Sequence, residues 1–192
     1  MQSIDHAIFY AINQWSESLS PFFLFLSEGN KWTGVRIGFL ALFSYYVWNP
    51  KTRVPALLIL VAFPLTNELT DILKAWLQVP RPCVELRETV NLRVNMMTSF
   101  GTASAHSGNM MAIATLFVLG AGWRYGLVWV IVAILTGISR IYVGVHYPSQ
   151  VVFGWSCGVV VATISWFSCQ AILRRRDQNQ VEPSHEERPE AG

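Results

Sequence analysis

The sequence predicts an all-α integral membrane helical bundle with five or six transmembrane helices and an N-terminal amphipathic helix. Three observations carry this. First, 52% of the 192 residues are hydrophobic, eight are tryptophan, and only 14% are charged, against about a quarter charged in a soluble domain. Second, five mostly apolar stretches approach the about 20 residues that a helix needs to cross a bilayer. Third, the connections between them are tight except for residues 79–103. A loop of that length inside a compact domain is usually functional or disordered.

Residues 1–30 form the first segment. Ile4, Ile8, Ala11, Ile12 and Trp15 recur at helical spacing, with Asp5, Asn13 and Gln14 between them. This pattern predicts a helix lying in the membrane interface. Residues 18–26 are apolar but too short to span alone. If residues 4–28 make one kinked crossing, the bundle has six spans and the N-terminus is inside; otherwise it has five and the N-terminus is outside.

Residues 31–173 form the membrane domain, with spans at 32–48, 54–73, 107–123, 126–145 and 149–173. Residues 174–192 form a tail. It is polar from Asp177 onward, contains Pro183 and Pro189, and reads as disordered and cytoplasmic. One set of span ends carries Lys51, Arg53, Arg124, Arg174, Arg175 and Arg176; the other carries Lys31, Lys74, Arg81, Arg87, Arg93 and Arg140. The counts balance, so the arginine triplet directly after the last span decides. By the positive-inside rule it faces the cytoplasm. The expected location is the cell (inner) membrane, multi-pass, with the second set facing the extracytoplasmic side.

Composition excludes several classes. A net charge of +2 is too small for nucleic-acid binding. Cys83, Cys157 and Cys169 have no metal-binding spacing and are odd in number. No basic start followed by an apolar block marks a cleavable signal peptide.

The chemistry lies in three polar clusters on the extracytoplasmic side. The first runs from Lys74 to Arg81-Pro82, where Pro80 and Pro82 stop the second span. The second is Ser104-Ala105-His106, just before a helix. The third is Ser139-Arg140, His146 and Gln150. Arginine binds phosphate oxygens bidentately, and lysine acts as a point charge. Ser104 adds a hydroxyl, and a helix N-terminus attracts anions. Each cation alone could equally be an interfacial anchor. The two histidines beside them change the weight. One can attack phosphorus; the other can protonate the leaving oxygen and later activate water. Neither role needs a metal. His6 and His185 receive no role.

These clusters resemble the three signature motifs of the type-2 phosphatidic acid phosphatase and vanadium haloperoxidase superfamily, in its membrane lipid phosphatase branch. The pattern is Lys, six residues, Arg-Pro; Pro-Ser-Gly-His; and Ser-Arg, five residues, His, three residues, Asp. Lys74, Arg81 and Pro82 match the first. Ser104 and His106 match the second, with Ala103 and Ala105 replacing Pro and Gly. Ser139, Arg140 and His146 match the third. The resemblance implies His146 as nucleophile through a phosphohistidine and His106 as general acid and then base. It implies Lys74, Arg81, Ser104 and Arg140 as phosphate ligands, and no metal or other cofactor. The expected substrate is a phosphomonoester or diphosphate on a membrane lipid, such as undecaprenyl diphosphate, a phosphatidate or a lipid A. The short chain is similar to small bacterial undecaprenyl diphosphate phosphatases. A lipid phosphotransferase and a catalytically weak lipid-phosphate binding protein are the alternatives.

Gln150 stands where the family has Asp. An amide can orient His146 but cannot neutralise its cation, as the carboxylate of a triad does. Glu68 or Asp71 is a candidate substitute, although Asp71 and Lys74 are spaced for a local ion pair. The 79–103 loop is expected over or beside the pocket, with Arg87, Glu88 and Arg93 able to reach a headgroup.

Overall fold

Residues 2–181 are described by a computed structural model of the chain. They form α1 (Gln2–Asn13), α2 (Ser20–Glu28), α3 (Thr33–Trp48), α4 (Arg53–Leu77), α5 (Pro82–Glu85), α6 (Ala105–Ala121), α7 (Trp123–Tyr142) and α8 (Pro148–Val181), with no strand among the described residues. Local chemistry sets the boundaries. Gln78, in the left-handed region at φ 50°, ends α4, and Pro80 follows it. Pro82 and Pro148 open α5 and α8, where a missing N–H costs nothing. Gly122, at φ 91°, turns α6 directly into α7, a conformation that glycine adopts without strain.

All five expected spans are helices: α3, α4, α6, α7 and α8. Helices starting at Arg53, Trp123 and Pro148 are long and apolar enough to cross a membrane; α6 is apolar and shorter. Helix α3 has 16 residues and buries none of them. Large apolar side chains such as Leu40, Leu60, Ile164 and Phe167 are exposed around the bundle, as a lipid-facing surface requires.

Helix α6 is the centre, packed against α4, α7 and α8. Its approach to α8 depends on missing side chains: a Cβ at Gly158 would overlap the Gly108 carbonyl, and one at Gly154 would overlap the Ser104 carbonyl. Small residues at such crossings let backbones pack closely. Gly158→Ala is expected to destabilise the protein by about 1–3 kcal/mol, read as a lower melting temperature in detergent. An unchanged melting temperature would mean that the α6–α8 crossing relaxes freely.

The N-terminal segment is not one kinked helix of spanning length. It forms two separate helices, and both meet the bundle at one end. Asp5 accepts hydrogen bonds from the Ser149 backbone N–H and hydroxyl, Asn13 donates to the Tyr142 carbonyl, and Ser20 bonds the Tyr142 hydroxyl. The buried face of α1 is Phe9 and Asn13, with Ile12 partly covered; Ile4 and Ile8 are exposed. The apolar stripe read from the sequence is therefore split, part facing protein and part facing outward. The tail also differs from expectation. Helix α8 continues to Val181, so residues 174–181 are helical rather than disordered; residues 182–192, with His185, lie outside the described residues.

Candidate functional site

The three clusters occupy one end of the bundle because alternate helices begin and end there. Helix α4 delivers Lys74 in its last turn. Helix α6 starts at Ala105, with Ser104 as its N-cap, and α7 ends at Tyr142 just after Arg140. His146 lies in the 143–147 turn before α8. The Arg140 carbonyl accepts from the Val145 and His146 backbone N–H groups, both at 3.2 Å. The third motif thus closes a short turn that fixes where the imidazole stands.

Arg81 is 4% exposed and His146 is 3% exposed, so their mutual bond is dry. Arg81 Nη1 lies 2.7 Å from His146 Nε2. A guanidinium can only donate, so Nε2 carries the lone pair. The ring proton is then on Nδ1, which faces Gln150 Oε1 at 3.1 Å. Gln150 Oε1 also accepts from the Tyr147 N–H at 3.2 Å, and Gln150 Nε2 donates to the Pro80 carbonyl at 2.7 Å. Its amide is used at both ends, which fixes the histidine tautomer. Burial, then Arg81 and Arg140, hold the His146 pKa well below its ordinary value of 6.5, against a smaller opposite effect of Gln150. The imidazole is neutral at neutral pH.

Arg81 is clamped on its other side. Nε donates to the Ser99 carbonyl at 2.7 Å, Nη2 to the Ser99 hydroxyl at 3.2 Å, and Nη1 also to the Val145 carbonyl at 3.2 Å. Gly101 lies over this arrangement. A Cβ there would sit 2.7 Å from both Arg81 Cγ and Gln150 Oε1. The end of the 79–103 loop therefore builds the wall of the site. Arg93 does not reach toward a headgroup as expected. It donates to the Asn13 and Tyr142 carbonyls, each at 2.8 Å, and pairs with Glu17 at 2.6 Å. It ties the loop to the N-terminal segment.

Arg140 is almost fully buried. It donates to the hydroxyl and carbonyl of Ser27, and Glu28 lies 3.6 Å from its Nη1. Its Nε has no partner, leaving one donor of a buried cation free. Ser104 is fully buried; its Oγ accepts from the Ser107 hydroxyl at 2.9 Å, which leaves its own proton available. The Ser104 N–H is bonded to the Gln150 carbonyl at 3.0 Å, joining the second motif to the third. Ser139 bonds the Thr136 carbonyl within its own helix and is structural.

His106, in the first turn of α6, lines a cavity of about 590 Å³ whose lining is mostly apolar and also includes Ser27, Asn30, Asn67 and Asn109. Lys74 instead pairs with Asp71 at 2.8 Å. That local pair occupies Asp71, and Glu68 is exposed on α4. Gln150 itself holds the ring of His146. Arg81, Ser104, Arg140, His146 and Gln150 are thus linked directly, His106 follows Ser104 by two residues, and Lys74 stays with its helix neighbour.

A model described as the PAP2 superfamily matches residues 53–173. The chain belongs to the PAP2 superfamily. A relative named undecaprenyl-diphosphatase, from Sulfolobus acidocaldarius, is 28% identical over 130 residues, which is 62% of each chain. The chain therefore spans less than two thirds of that relative's length. A transmembrane PAP2-type phosphatidylglycerolphosphate phosphatase from Bacillus subtilis superposes with a TM-score of 0.68 at 23% identity, covering 89% of this chain and 87% of that one. LpxE of Aquifex aeolicus gives 0.71 at 25% identity, covering 85% and 94%. The PAP2 match begins at α4, so Ser27 and Glu28, which hold Arg140, lie before it. Sequence reasoning missed them, although Ser27-Glu28-Gly29-Asn30-Lys31 is a polar break between two apolar runs.

Proposed function

We propose that this PAP2 chain is a metal-independent phosphatase of membrane lipid phosphates, acting through a phosphohistidine on His146. The observation that carries the reading is the Arg81–His146–Gln150 chain. It fixes the proton on Nδ1 and keeps the Nε2 lone pair against a cation that a phosphate oxygen can claim. In the reaction, the entering phosphate takes over the Arg81 Nη1 donor and so uncovers Nε2. Ser104 and Arg140 hold the other oxygens, with α6 N–H groups beside them, and Lys74 joins them by exchanging Asp71 for the phosphate. Nε2 attacks phosphorus, the bond to the leaving oxygen breaks, and His106 supplies that oxygen with a proton. His106 then takes a proton from water, which attacks the phosphohistidine. Inorganic phosphate leaves and His146 is restored.

PAP2 membership and the relative named undecaprenyl-diphosphatase support a phosphomonoester or diphosphate on a lipid as the substrate class. A site at the end of the bundle suits a substrate whose tail remains in the bilayer. The arginine triplet at the opposite end supports an extracytoplasmic site in the cell membrane. The test is phosphate release from a panel of lipid phosphates by purified protein in detergent containing a chelator. Turnover is expected to survive chelation. Vanadate, which adopts the five-coordinate geometry of phosphoryl transfer, is expected to inhibit it. Loss of activity on chelation, restored by a divalent metal, would overturn the mechanism. Transfer of the phosphoryl group to a second lipid in place of release would indicate the phosphotransferase.

A further inference from the structure

We propose that Lys31, joined to the site through Glu28, binds the second phosphate of a lipid diphosphate, the one that departs with the lipid. The proposal rests on the phosphatase reading above and names its substrate class. Glu28 is the link. One carboxylate oxygen lies 3.6 Å from Arg140 Nη1 and the other pairs with Lys31 Nζ. Arg140 is buried, whereas Lys31 is 59% exposed. The row Arg140, Glu28, Lys31 thus runs from a buried cation of the site to an exposed one, and the net charge of the row is positive.

The position of Lys31 relative to His106 decides its role. Asn30, the chain neighbour of Lys31, lines the same cavity as His106, and in this proposal Lys31 stands beside the path of the leaving group. A monophosphate substrate has hydrocarbon or an ester directly beyond the scissile bond. Such a group would meet Asn30, Asn67 and Asn109 with few hydrogen bonds to offer. A diphosphate offers a charged phosphate to these amides and its hydrocarbon to the apolar residues of the same lining. When Nε2 of His146 attacks the terminal phosphorus, the P–O–P bridge breaks and the bridging oxygen leaves on the lipid phosphate. His106 gives that oxygen its proton, and Lys31 faces the charge of the departing phosphate, exchanging Glu28 for it.

The test compares geranylgeranyl diphosphate with geranylgeranyl monophosphate in detergent, for wild type, Lys31→Met and Lys31→Arg. The ratio of kcat/KM between the two substrates is expected to fall about tenfold in Lys31→Met, the worth of one charge-assisted hydrogen bond, and to recover in Lys31→Arg. An unchanged ratio, or an equal loss on both substrates, would overturn the proposal. Binding of the same two lipids to wild type and to Lys31→Met separates this from the function itself. If the wild type hydrolyses neither lipid, the phosphatase reading fails. Tighter binding of the diphosphate that Lys31→Met removes would then still support the Lys31 site, and equal binding of both lipids by wild type would refute it.

Discussion

His146→Ala is expected to lower turnover at least about a thousandfold while leaving lipid-phosphate binding largely in place. The side chain supplies the Nε2 lone pair that faces Arg81, and no other histidine bonds Arg81 among the described residues. The cations remain: Arg81 keeps Ser99 and Val145, and Arg140 keeps Ser27. The variant therefore separates binding from chemistry. Single-turnover assays with a labelled lipid phosphate should trap a phosphoprotein in wild type and none in His146→Ala. Normal turnover in the variant would show that another atom attacks phosphorus. His106→Ala should behave differently, since it removes the proton donor and leaves the nucleophile. Its loss should shrink for substrates whose leaving groups need no proton.

Much of this arrangement was legible in the sequence, for a reason that can be stated. Apolar run length reports a long helix directly, so α3, α4, α6, α7 and α8 could be read to within a few residues, apart from the end of α8, which runs on to Val181. The site was legible because its groups follow one another at short spacing around turns: Arg81 with Pro82, Ser104 with His106, and Arg140 with His146 and Gln150. What was not legible depends on contacts across the chain. Asn13 holds Tyr142 across 129 positions and Ser27 holds Arg140 across 113, and neither partner has a pattern of its own. Arg93 looks like any loop arginine until Glu17 and four carbonyls are placed around it. The N-terminal stripe misled because Phe9 and Asn13, not Ile4 and Ile8, face the protein.

Gln150→Glu is expected to move the acid limb of the kcat/KM profile to higher pH and to lower the rate about a hundredfold at mildly acidic pH. A carboxylate keeps the acceptor for His146 Nδ1–H but adds a negative charge beside the ring. That charge raises the His146 pKa, which in wild type is held well below 6.5 by burial and by Arg81 and Arg140. The sign follows from the nucleophile's needs. Only neutral imidazole offers a lone pair, so raising the pKa protonates His146 at pH values where the wild type is still active. The substitution has a second effect at the other end of the side chain. Gln150 Nε2 donates to the Pro80 carbonyl at 2.7 Å, and a carboxylate oxygen there has no proton to give. The turn that carries Arg81 is pushed away from His146, so the melting temperature should fall as well. Gln150→Ala removes the charge effect and keeps the loss of orientation. Its rate should fall at all pH values, and the acid limb should move, if at all, to lower pH, because the bond to Gln150 raises the His146 pKa. Gln150→Asp, one methylene shorter, should lose the Pro80 bond without the same clash. A Gln150→Glu profile superimposable on wild type would mean that residue 150 does not govern the protonation of His146.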